Sequence, residues 1–236
     1  MNNNVRAFGD RKSRRRGMRW LVQTAAVAGL ALAAAPAAGA TGYDETNGDL
    51  SNSNTSPTPV TFGVGSNVVT GTTGSTDGVI DRDYFTFTLA PDQELTAIMV
   101  LEGTTSIAGR DPTNPLSFIG LEAGGTLTDP AAPVVGDLLG YTHYGPSLIG
   151  TDILDNIAGG AGAQGFTAPL GGGTYSVWIQ EANAGSAHYA FDFLVRSVPE
   201  PSSWAMMLSG FGLIGWSMRR RVQKGKGSSS TRSLAI

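Results

Sequence analysis

An uncharged apolar run, Trp204–Met218, stopped at once by Arg219-Arg220-Arg221, most narrows what this chain can fold into. A segment without Asp, Glu, Lys or Arg is stable in lipid only if its backbone groups bond one another, so the run predicts a single transmembrane helix over 204–218. Arginines directly after the run stay on the cytoplasmic side and orient the helix. At 1.5 Å per residue the run reaches roughly 22 Å, short of a hydrocarbon core of about 30 Å. Ser202, Ser203 and snorkelling arginines must make up the difference, so the span is marginal. A second apolar run, Leu21–Ala35, follows Arg11-Lys-Ser-Arg-Arg-Arg16 and Arg19 and precedes Ala38-Gly39-Ala40. Basic flank, apolar run and small-residue site are the parts of a secretory signal peptide over 1–40, with Ala38 and Ala40 marking cleavage and Thr41 opening the mature chain. Ser13 and Gly17-Met18 do not suit twin-arginine export, so the general secretion translocon and signal peptidase are the expected partners. Met18 would serve as an alternative start to Met1.

The tail from Val198 to Arg221 carries a resemblance. Its Pro199-Glu200-Pro201 triplet, Trp204-Ala-Met-Met207, apolar run and basic stop resemble the PEP-CTERM sorting signal of Gram-negative bacteria, in the Pro-Glu-Pro-x-x-Trp-Ala subtype. The resemblance implies recognition by an exosortase, with Pro199, Glu200, Pro201, Trp204, Arg219, Arg220 and Arg221 as the processing motif. It also implies a transient stay in the inner membrane and delivery to the surface or an exopolysaccharide matrix. One departure is the basic polar tail Val222–Ile236, which continues past the arginines.

With both ends set aside, the charge balance changes. Residues 41–197 hold three cations, Arg82, Arg110 and Arg196, against seventeen carboxylates, a net charge of −14 against −3 for the whole chain. Such a domain repels nucleic acid and attracts divalent cations, and nucleic acid is not an expected partner. Solubility in an extracellular matrix also accounts for the charge. There are no cysteines, which excludes disulfides, thiolate nucleophiles and Cys-ligated zinc.

Residues 41–59 read as a polar lead-in with little structure of their own. From 60 to 197 short runs bounded by turn residues predict an all-β domain. Strands are expected at Val60–Val64, Asn67–Thr70, Tyr84–Leu89, Leu95–Leu101, Phe118–Leu121 and Leu138–Tyr144. In the third, Phe85, Phe87 and Leu89 alternate with Thr86 and Thr88, as a half-buried strand requires. Thr174–Ile179 and Ala187–Val195 are expected to pair as a hairpin. Nothing between 41 and 197 has the length and period of a helix. Ser66–Gly71, Asp77–Leu89, Gly172–Tyr175 and Tyr189–Val195 resemble the bacterial pre-peptidase C-terminal (PPC) domain, a jelly-roll-like β-sandwich that is accessory in exported proteins. The resemblance implies a jelly-roll-like sandwich over 60–197 and admits calcium or matrix polymers as ligands.

Little in the domain points to catalysis. His143 and His188 are the two histidines, and neither accompanies a Gly-x-Ser-x-Gly elbow or a zinc-binding His-Glu-x-x-His pattern. The metal candidate is Asp77, Asp81 and Asp83, three carboxylates within seven residues that could offer oxygens to Ca²⁺; the same residues also fit a turn, with pairing to Arg82. Asp44, Glu45 and Asp49 read as a weaker, solvated acidic group. Tyr141, Tyr144 and Trp178 are candidate carbohydrate contacts, weighed against ordinary packing. The leading expectation is a non-enzymatic, exosortase-sorted component of the surface or extracellular matrix, requiring no cofactor unless calcium binds. A calcium-assisted carbohydrate-binding module and a matrix polysaccharide or protein hydrolase are the alternatives.

Overall fold

The structure is a computed structural model and describes residues 41–198, 206–216 and 219. The expected signal segment with Ala38 and Ala40, the residues Pro199, Glu200, Pro201, Trp204, Arg220 and Arg221, and the tail 222–236 lie outside the described residues. Residues 206–216 are helical and exposed. No helix among the described residues is long and apolar enough to cross a membrane.

Nine strands make the domain: β1 Thr41–Asp44, β2 Thr58–Pro59, β3 Asn67–Thr76, β4 Val79–Leu89, β5 Gln93–Val100, β6 Ser117–Ala123, β7 Leu138–Tyr144, β8 Gly173–Gln180 and β9 Gly185–Ser197. They run in the order β5-β9-β3-β4-β8-β6-β7, with β1 added in parallel to β3 and β2 in parallel to β4. The hinge of this sheet is the β3–β4 hairpin. Its tip is Asp77-Gly78, both at positive φ (52° and 80°), which suits the twist of two antiparallel strands. Residues 149–165, with the short helix α1 Leu154–Ala158, stitch the two outer edges together. Ile153 N–H bonds Ile98 on β5 at 2.9 Å, and Gln164 and Gly165 bond Leu138 and Leu139 on β7 at 3.0 and 2.9 Å. The sheet is thereby nearly closed, and its Gly-rich connection is structural rather than a free loop.

The core follows from the alternation along the strands. Phe85, Phe87 and Leu89 of β4 point inward with Val177 and Ile179 of β8, and meet Phe191, Phe193 and Val195 of β9 in one cluster. Phe62, on the connection after β2, stacks on Phe87 at 4.6 Å and lies 5.1 Å from Phe193. Offset and edge-on rings contribute beyond their buried area, which suits a core without disulfides. Buried Asn67 ties the same connection down: its amide nitrogen donates to the carbonyls of Gly63, Gly65 and Phe193, and its oxygen accepts from Gly63 N–H.

Three expectations change. The lead-in is ordered, because β1 pairs with β3 from Thr41↔Asn67 to Asp44↔Thr70 and Leu50 is buried in the core. Val60–Val64 is not a strand; only Thr58–Pro59 pairs, and Val60 and Phe62 serve the core as side chains. Strands β8 and β9 do not pair as a hairpin. β8 lies between β4 and β6, and β9 between β3 and β5. Both present an inward row of large apolar side chains, and burying the two rows against each other requires opposite walls.

Candidate metal centre

Strand β1 delivers the chain into an acidic turn at one end of the core. Asp44 closes the turn by accepting the Thr46 N–H at 2.8 Å, which also holds its carboxyl below the usual range. The next residue, Glu45, swings over β3, where one oxygen accepts the Thr72 N–H at 2.8 Å and the other is 3.5 Å from the Tyr189 hydroxyl. Space for this exists because position 71 is glycine: a Cβ there would collide with the Glu45 carboxylate and the Tyr189 hydroxyl. Asp49 follows on the exposed side of the turn, and Leu50 anchors the segment in the core.

Asp83 approaches from beneath. It occupies an inward position of β4, in step with Phe85 and Phe87, and is 0% exposed. Neither of its carboxylate oxygens meets a partner in good hydrogen-bond geometry; the Tyr189 hydroxyl and the Glu45 carboxyl are its polar neighbours. Oxygens of Glu45, Asp49 and Asp83 all lie within 4.8 Å of one another. Two ligands on opposite sides of Ca²⁺, each at about 2.4 Å, are separated by about that distance, so one hard cation fits among the three.

Crowding of carboxylates sets the electrostatics of the site. Burial, then the adjacent Glu45 carboxylate, push the Asp83 carboxyl up to about 9. Burial also raises Glu45, against the pull of the Thr72 N–H. Tyr189 is pushed upward by burial and by Asp83, so it stays a neutral hydroxyl. Without a cation the cluster must hold a proton, since like charges this close cannot all ionise. A divalent cation can replace that proton.

The expected trio is therefore divided. Asp83 is in the cluster, but Asp77 sits at the exposed tip of the β3–β4 hairpin. Asp81 accepts a hydrogen bond from Asn52 at 3.2 Å, and burial, then Asp49, raise its carboxyl. Arg82 pairs with none of the three; its Nε donates to Gln180 at 3.0 Å. Glu45 and Asp49 were readable only as lead-in acids, because their partner is distant in sequence and reached only through the β1–β3 pairing.

The aromatic candidates also separate. Tyr144 is 1% exposed and packs edge-on to Phe191 in the core, so it cannot meet a sugar. Trp178 faces away from the core as expected, yet it is covered by Tyr84, Leu127 and Phe118. Tyr141 is partly exposed and donates its hydroxyl to Ala161. His188 is half-buried beside the acidic turn, with Nδ1 2.9 Å from the Gly103 carbonyl, and His143 is exposed against the edge of Phe118.

Among known proteins, no curated protein and no solved structure matches this chain. Residues 197–221 match the model of the PEP-CTERM protein-sorting motif. The chain thus carries the signal of an exported, membrane-anchored precursor that an exosortase sorts.

Proposed function

We propose that this chain is a non-enzymatic component of the cell surface or extracellular matrix, sorted by exosortase, whose domain is held in its working form by a calcium ion at Glu45, Asp49 and Asp83. The observation that carries the cation is Asp83: a fully buried carboxylate whose two oxygens lack a partner in good hydrogen-bond geometry, facing two further carboxylates. Burying such a group without partners costs several kcal/mol, and a hard cation supplies what the protein does not. Irregular carboxylates on a turn and a strand suit Ca²⁺, which tolerates varied geometry, better than Mg²⁺, which wants a strict octahedron. The finer tail reading, the Pro-Glu-Pro-x-x-Trp-Ala subtype, and the kinship of residues 60–197 to the PPC sandwich belong to the same proposal. They rest on Trp204-Ala205 after Pro201 and on Asp81–Phe85 entering a core strand. The expected route is translocon, signal peptidase cleavage after Ala40, a transient stay in the inner membrane, then release to the surface or matrix.

Intact mass after expression with and without an exosortase tests the sorting. Loss of the segment beyond Pro199-Glu200-Pro201 only when the enzyme is present supports it; an identical unprocessed mass in both hosts contradicts it. Thermal melting in calcium and in chelator tests the cation. A transition that rises with calcium at pH 8 supports the site, and coincident melts contradict it.

A further inference from the structure

On the side of β4-β8-β6-β7 away from the core, one register line crosses all four strands: Arg82 opposite Gln180, Gln180 opposite Phe118, and Phe118 opposite His143. At about 4.8 Å between strands the line is about 14 Å long. Its planar groups are held in place. Gln180 Oε1 accepts from Arg82 Nε at 3.0 Å and from Trp178 Nε1 at 3.1 Å, which fixes the amide and aligns the guanidinium. The Phe118 ring leans over Gly120, where a Cβ would come within 2.9 Å of it. That position sets Phe118 edge-on to Trp178 at 4.9 Å and stacked with Tyr141 at 5.7 Å and 26°. Phe118, Tyr141 and Arg82 are partly exposed and His143 is exposed, while the other half of this face lies beneath Leu127 and its loop.

We infer that this line is a binding subsite for a carboxylated polysaccharide, with a sugar ring on Phe118 and Tyr141 and a uronate carboxylate on Arg82. Fixed rings give flat apolar faces at little entropic cost, and the guanidinium fork matches a carboxylate in geometry and charge. Charge complementarity selects the occupant. Of the three arginines in a domain of net charge −14, Arg196 is paired with Glu94 and Arg110 bonds Asn183. Arg82 and Arg110 both lack a carboxylate partner among the described residues, and of the two it is Arg82 that lies in register with the aromatic face. A neutral sugar would leave that cation unused. A Debye length of about 8 Å at physiological ionic strength weakens repulsion from distant carboxylates, and Asp81 and Asp129 are the near ones that Arg82 must outweigh. The subsite is separate from the acidic cluster and does not rest on it.

The test is titration of the full chain, in a detergent without a sugar headgroup, once in calcium and once in chelator, against a uronic-acid oligosaccharide and a neutral one of equal length. Saturable binding of the uronate alone is expected, weakened about tenfold or more by Arg82→Gln and by Phe118→Ala. His143→Ala, at an exposed position, is a second variant that leaves packing intact and is expected to weaken binding by about threefold. Melting temperatures within a few degrees of the parent show that the variants fold. No binding by the parent, equal binding of the neutral oligosaccharide, or full binding by Arg82→Gln would overturn the inference.

Discussion

Asp83 concentrates the physical argument at the scale of a single residue. An unfolded aspartate titrates near 3.9, whereas this one is raised to about 9 by burial and by Glu45. Between those values the folded domain holds a proton that the unfolded chain has released. The stabilising contribution is therefore complete below about pH 4 and is lost as pH rises through about 9. In chelator, the melting temperature is expected to fall from about pH 5 to pH 9, and calcium should remove most of that fall by taking the proton's place. Asp83→Asn, an isostere of the protonated acid, should flatten the profile, stabilise the calcium-free domain by about 1–3 kcal/mol at pH 8, and abolish the calcium response. Gly71→Ala acts on the other wall of the site. Its methyl would displace Glu45 and Tyr189, so a loss of about 2 kcal/mol or more and weaker calcium binding are expected in denaturant titrations. In the core, Phe87→Ala removes a ring that touches Phe62, Tyr175 and Phe193, and about 3–5 kcal/mol should be lost.

Among the secondary-structure elements, β1 and the acidic turn after it are where the proposed cation would meet the fold. β1 is four residues long and sits against β3 alone, while Glu45 and Asp49 lie on the turn it feeds. Amide exchange over 41–50 should slow with calcium by about tenfold or more while β9, paired on both sides by β5 and β3, stays unchanged. Equal exchange with and without calcium would mean that the turn is held by the protein alone. How much could be read beforehand also divides by element. The alternation in Tyr84–Leu89 placed three of its side chains in the core and two threonines outside, as observed, because period two is a local property. The pairing of β8 and β9 was misread, because alternation says that a strand has an apolar face and not which wall receives it. The acidic site was missed in the same way. Asp83 was visible, but Glu45 and Asp49 reach it through a parallel pairing across more than twenty residues, and no local pattern announces such a pairing.

Across the whole molecule, the domain and its tail divide the work. The PEP-CTERM motif over 197–221 accounts for export and tethering, and it begins where β9 ends at Ser197. The Val198 N–H still bonds the Asp92 carbonyl at 2.7 Å, so the folded domain continues to the edge of the processing motif. A net charge of −14 leaves the exported domain self-repelling, and the proposed calcium ion would relieve this where three carboxylates crowd together. The calcium claim is tested most directly by calorimetric titration of the full chain with CaCl₂ at pH 7.5, the parent against Asp83→Asn. A single saturable site with proton release in the parent, absent from the variant, is the predicted result; no saturable heat in the parent, or the same isotherm in both proteins, would contradict it.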